Sequence, residues 1–166
     1  MIIRKETTSD IEAITRVTIA AFKALPISNQ TEQIIIKELR AAGALTLSLV
    51  ADMDGRVVGH IAFSSVIISD GTKDWYSLGP VSVLPEYQKQ GIGTSLINEG
   101  LSLLKQSGGQ GCALVGDPNY YSRFGFKNYP ELVHEGIPQE VFLALPLNDR
   151  MPKGTIEFHK SFLATG

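Results

Sequence analysis

The alternation and recurrence of apolar positions predict most elements of the chain. Ile2 to Thr7 reads as a short strand. Ser9-Asp10-Ile11-Glu12 has the form of a capping box, in which Ser9 and Glu12 satisfy each other's free donors. Ile11, Ile14, Thr18 and Ala21 follow at helical spacing, ending near Pro26. A second helix is predicted from Thr31 to Ala42, with Ile35 and Leu39 inward and Gly43 as its stop. Leu45 to Asp52 is a strand, and Asp54-Gly55 signals a hairpin. Val57 to Ile68, closed by Asp70-Gly71, and Trp75 to Leu84 complete a meander that loops this short allow only as antiparallel.

From Gly91 to about Gln106 the period is helical, with Ile92, Leu96 and Leu103 on one face and Ile97 and Leu104 beside it. Cys112 to Gly116 is a short buried strand, expected parallel to the strand before the helix. Asp117-Pro118 starts another helix, Val141 to Leu147 is a strand, and a further strand is expected near Thr155 to Phe162. The fold class is α+β, a mixed sheet of six or seven mostly antiparallel strands with helices on its faces.

A length of 166 residues suits one domain, 1–166, with a core of its own. The single Cys112, in an apolar run, excludes an internal disulfide or a cysteine-rich zinc site and reads as a buried hydrophobe. No metal site is read. A net charge of −2 without runs of like charge excludes the basic footprint of a nucleic-acid binder. No apolar stretch approaches the ~18–20 residues of a membrane span, and no signal-peptide pattern opens the chain, so a cytoplasmic protein is expected.

The chemistry concentrates at Val81-Ser82-Val83-Leu84-Pro85-Glu86-Tyr87-Gln88-Lys89-Gln90-Gly91-Ile92-Gly93-Thr94. A strand stops at Pro85, a polar loop follows, and two glycines open a helix whose free amides suit a phosphate. A Gly-x-Gly at a helix start can also merely turn the chain. A P-loop string is absent, and a Rossmann turn would need a third glycine where Leu96 stands and a shorter loop after its strand.

The spacing Gln88-x-x-Gly91-x-Gly93 resembles the signature of the GCN5-related N-acetyltransferases (GNAT). Val81-x-Val83-x-Pro85 before it, Tyr120-Tyr121-x-Arg123-Phe124-Gly125-Phe126 after it, and the order of elements resemble the same family. The string from Gly116 to Phe126 is similar to that of the YhbS-type bacterial acetyltransferases. The resemblance implies a single N-acetyltransferase domain with a V-shaped cleft where the fourth and fifth strands splay. It implies acetyl-CoA as cosubstrate, its pyrophosphate on the amides of Gln90, Gly91, Ile92, Gly93 and Thr94, with Gln88 and Lys89 in the same loop. Lys89 either neutralises a phosphate or is a solvated loop lysine.

The pantetheine arm would pair with Val81, Ser82 and Val83, and Gly79-Pro80 marks an interruption that would free that stretch. The Val81 amide becomes the candidate donor to the thioester carbonyl. Family position makes Tyr121 the general acid, with Tyr120 as the alternative one residue away, and sets Asn119 beside the pantetheine arm. Arg123 has either a phosphate or a surface role. The base is open: Trp75 to Leu84 holds no carboxylate, so a water chain, His60, Glu32 or Ser77 are the candidates, with Tyr76 and Glu38 behind them. The expected reaction is acetyl transfer to a primary amine, of a small molecule or a protein, by direct attack in a ternary complex. A catalytically weak acyl-CoA sensor is the alternative, and Val141 to Leu147 offers an edge for a homodimer.

Overall fold

The computed structural model describes residues 1–165. In chain order its strands and helices are β1 (Ile2–Lys5), α1 (Ile11–Lys23), α2 (Glu32–Ala41), β2 (Leu45–Met53), β3 (Arg56–Ser65), β4 (Ile67–Ile68), β5 (Trp75–Val83), α3 (Ile92–Gln106), β6 (Gly111–Val115), α4 (Pro118–Tyr121), β7 (Leu132–Val133), β8 (Phe142–Pro146) and β9 (Gly154–Glu157). Six strands are ordered β1-β2-β3-β5-β6-β8, and β4-β9-β7 form a second sheet. β5 pairs parallel with β6, while β1–β2 and β6–β8 are antiparallel. The mixed α+β class is as expected.

The chain divides into two compact units: residues 1–63, 79–100 and the tail from Lys160, and residues 64–78 with 101–159. In the first, Ile14 and Val17 of α1, Ile35, Ile36 and Leu39 of α2, and Leu49 to Ala51 of β2 are buried. A β-carbon on Gly59 would lie 3.1 Å from Leu96 and 3.2 Å from Ile92, so this side of β3 faces α3. Side chains alternate along a strand, so His60 points to the opposite side, where it reaches Ser48 and the α2 residue Arg40 lies beyond. In the second unit Ile68, Trp75, Ala113, Leu132, Phe142, Ala144 and Ile156 form the core.

Local details correct several expectations. The capping box stands two residues earlier than Ser9/Glu12: the Thr7 N–H donates to Asp10 Oδ2 at 2.7 Å. Arg4 decides this by holding both Asp10 oxygens, at 2.7 and 3.0 Å, and Asp10 is pulled down to a pKa of about 2 by that pairing. The strand expected from Val57 to Ile68 breaks at Val66. Ile67 and Ile68 leave for the second sheet, pairing with Glu157 and Ile156. The strand expected to Phe162 ends at Glu157, and a 3-10 turn follows at Lys160–Leu163. On α3, Leu101 is buried where Leu103 was expected. Asp54 and Gly55 both take positive φ, +53° and +89°, which the tight hairpin requires. The outer edge of β8 is already taken at Ala144, whose N–H and C=O both bond Lys127.

Candidate functional site

The glycine loop leaves β5 through a 3-10 turn, Pro85–Tyr87. The Gln88 side chain reaches back, its Nε2 donating to the Val83 carbonyl at 3.0 Å, so the signature glutamine ties loop to strand. Lys89 and Gly91 take φ of +64° and +86°, and nothing lies within 4 Å of a β-carbon built at 91. Ile92 is buried and anchors the helix, while Gln88, Lys89, Gln90 and Gly91 are exposed. The first helical bond here is Ser95 N–H to Gly91 O at 3.0 Å. Amides ahead of it have no intrahelical acceptor, and the helix dipole adds a positive end, so an anion is favoured by ~0.3–1 kcal/mol.

Upstream, β5 is interrupted as Gly79-Pro80 suggested. Gly79 has φ +134° and the Gly79-Pro80 peptide is cis. Pairing with β6 covers Trp75, Tyr76 and Ser77 alone among the β5 residues. Against β3, Val66 N–H bonds Trp75 O and Leu84 N–H bonds Val58 O. Those bonds run antiparallel, and Val58 to Val66 is eight steps where Trp75 to Leu84 is nine, so β5 carries one extra residue, a bulge. Beyond it burial alternates, Val81 and Val83 half-buried, Ser82 and Leu84 buried.

In the second unit, α4 presents Tyr121. Asp117 caps it, its Oδ1 accepting the Asn119 N–H at 2.9 Å, and Asn119 is itself exposed. The Tyr121 ring packs at 4.9 Å from Tyr120 and 6.1 Å from Phe126. Burial, with the nearby Tyr120 and Cys112, pushes its hydroxyl up to a pKa of about 12, so it carries its proton at neutral pH. Gly116 makes room for this ring: a β-carbon there would stand 2.6 Å from Tyr121 Cε2. Sequence reading missed this role of Gly116, whose only signal was its place beside Asp117-Pro118. Arg123 is spent on Tyr120, with its guanidinium 4.5 Å from the ring centre and Nε bonded to the Tyr120 carbonyl at 2.9 Å. Cys112 is wholly buried and its thiol pKa is raised by that burial.

The base candidates separate. Ser77 Oγ is buried and paired with Ser64 Oγ at 2.7 Å. Glu32 accepts from Ser28 Oγ at 2.8 Å, Glu38 is exposed, and Tyr76 has its pKa raised by burial and by Asp74. His60 is wholly buried, with Nε2 2.8 Å from Ser48 Oγ. Burial lowers its pKa to about 4, so the ring is neutral. Ser48 also bonds Glu6, which Arg40 holds at 2.8 and 3.0 Å. No sequence motif announced this network, because Arg40, Ser48 and His60 come from three separate elements and Glu6 from the link after β1. His60 Nδ1 and Ser82 Oγ are buried with no hydrogen-bond partner, each at a cost of about 1–3 kcal/mol unless satisfied.

Comparison with known proteins bears on these features together. Residues 45–128, from β2 past the Tyr121 segment, match the acetyltransferase (GNAT) domain family. The uncharacterized N-acetyltransferase YhbS of Escherichia coli K12 is 36% identical over 128 residues, 76% of this chain and 74% of that protein. A GNAT family acetyltransferase from Brucella melitensis, solved in complex with acetyl-CoA, superposes with TM-score 0.87 at 50% identity over 97% of both chains. The E. coli YhbS structure in complex with CoA superposes with TM-score 0.89 at 32% identity, over 99% of this chain and 93% of that one. With the glycine loop, the bulged strand and the order of elements all in place, this chain belongs to the GNAT family of acetyltransferases.

Proposed function

We propose that this chain, as one domain, transfers an acetyl group from acetyl-CoA to a primary amine by direct attack in a ternary complex. The observation that carries this reading is the exposed, glycine-opened start of α3, whose amides from Gln90 to Thr94 suit a pyrophosphate. The acetyl-CoA and CoA complexes of its relatives support the same donor. Val81 to Val83 take the pantetheine arm, with Gln88 and Lys89 in the phosphate loop and Asn119 beside the arm. The amine nitrogen attacks the thioester carbonyl, and the Val81 N–H stabilises the oxyanion. As the C–S bond breaks, Tyr121 donates to the leaving sulfur. Its pKa of about 12 lies above the ~8.5 of an ordinary thiol, so Tyr121 first stabilises the departing thiolate by donating a hydrogen bond, and a proton from solvent replaces the one it gives up as CoA leaves.

Calorimetry with acetyl-CoA tests the donor, and no binding at millimolar ligand would sink the reading. Tyr121→Phe should lower kcat by about 100-fold while leaving acetyl-CoA affinity intact. Full turnover in that variant removes Tyr121 from the mechanism. The sensor reading is favoured by one observation, that β5 carries no carboxylate. It would replace transferase if no amine in a broad panel were acetylated while the donor still bound.

A further inference from the structure

The polar network inside the first unit has a direction built into it. The hydrogen bonds of Arg40 and Ser48 outweigh burial and hold the Glu6 carboxyl below the usual carboxylate range, so it is an ionised acceptor. The Ser48 O–H must therefore donate to Glu6. Its oxygen is then left to accept, and the neutral His60 ring must supply the proton from Nε2. Nδ1 is consequently a bare lone pair, and it is the ring atom that has no partner.

That lone pair has a neighbour. Counting two residues along each strand from the Leu84 N–H to Val58 O bond sets His60 opposite Ser82. The alternation of burial from Val81 to Leu84 keeps Ser82 on the buried side, the side of Leu84. A β-carbon on Gly59, next to His60, would lie 3.2 Å from the Ser82 carbonyl, so the strands are in close register here. Ser82 Oγ is the second buried atom without a partner, one residue from Val81. The two unpartnered atoms thus belong to cross-strand neighbours on one side of the sheet, not hydrogen-bonded to each other, next to the amide proposed to bind the thioester. At the other end Glu6 is 18% exposed and lines a pocket of about 300 Å³ with Lys5, Arg40 and Ser48.

Resting on the acetyltransferase reading, we propose that Ser82 and His60 take up the proton released by the acceptor amine, with Ser48 and Glu6 as positioning residues. In the step, the amine N–H bond breaks and the proton passes to Ser82 Oγ. A turn of the Ser82 side chain brings its hydroxyl onto His60 Nδ1, and the hydroxyl proton then passes to that nitrogen, forming an imidazolium. Its charge faces Glu6 through Ser48, while Arg40 opposes it and is itself bound to Glu6. Water entering as product leaves takes the proton back along the same two atoms, so the ring returns to its starting tautomer.

The test combines kinetics with nitrogen-15 NMR of the histidine rings in the wild-type chain. At neutral pH His60 should read as neutral with its proton on Nε2, and a proton on Nδ1 overturns the proposal even if every variant fails to fold. Ser82→Ala and His60→Gln should each lower kcat by about 100-fold at unchanged acetyl-CoA affinity. Ser48→Ala should lower kcat about 10-fold and shift the His60 tautomer, and Ser48→Thr should restore both. Wild-type kcat in folded Ser82→Ala overturns the path while leaving the acetyltransferase reading intact. A wild-type chain that acetylates no amine overturns that reading, and this one with it.

Discussion

Gly91 in the glycine loop and Gly116 before Tyr121 both disfavour a β-carbon, one through backbone conformation and the other through space. At 91 φ is +86° and the surroundings are open to 4 Å. At 116 the β-carbon would strike the Tyr121 ring at 2.6 Å. The first glycine shapes a surface proposed to bind through main-chain amides, which would leave the side chains around it largely interchangeable. The second shapes the seat of one side chain, whose chemistry depends on where its hydroxyl points. A single methyl group should therefore break the two regions in different kinetic constants.

The largest effect is expected from Gly116→Ala. The ring must move or the strand end must shift, and overpacking of this kind costs about 1–3 kcal/mol. Displacing Tyr121 should lower kcat by about 100-fold, as is expected of Tyr121→Phe, with acetyl-CoA affinity little changed. In the Tyr121→Phe background the same alanine should cost no further kcat. If the two losses multiply instead, Gly116 acts through something other than the tyrosine. Gly91→Ala should do the reverse. Left-handed backbone costs an alanine about 1–2 kcal/mol, so the acetyl-CoA Kd should rise about tenfold, with kcat kept at saturating donor. A loss of kcat with unchanged Kd would mean that the loop is not where the donor's phosphates sit.

The same contrast governs what could be read from the sequence. The glycine loop was legible because its shape lies in local backbone, which Gln88, Gly91 and Gly93 announce by spacing alone. The interruption of β5 was legible at Gly79-Pro80 for the same reason. Tyr121 came only through resemblance, and its seat on Gly116 was invisible because the ring folds back over five residues of chain. The Glu6–Ser48–His60 network was less legible still: Glu6 follows β1, Ser48 is on β2, His60 on β3, and their contact is a product of the sheet. The early capping box was misread because Arg4, several residues upstream, recruits Asp10. The break at Val66 was missed because Ile67 and Ile68 look like more strand. Their partner, β9, lies almost ninety residues on, beyond any local pattern.

Lys89 offers the smallest and sharpest test of the comparison, since it is a side chain inside the region assigned to backbone. It is exposed and sits at φ +64°, a conformation glycine takes without strain. Lys89→Gly therefore keeps the loop's shape and removes only the cation. If main-chain amides dominate, acetyl-CoA affinity should fall by no more than about threefold, in the range of a solvated ion pair, and this small loss should vanish at high salt. Calorimetry of both proteins at low and high ionic strength reads the difference directly. A loss above tenfold at low salt would make the lysine, rather than the amides opened by Gly91 and Gly93, the principal phosphate contact. The loop would then be a scaffold for one charge, and its glycines would matter for placing Lys89 as Gly116 matters for placing Tyr121.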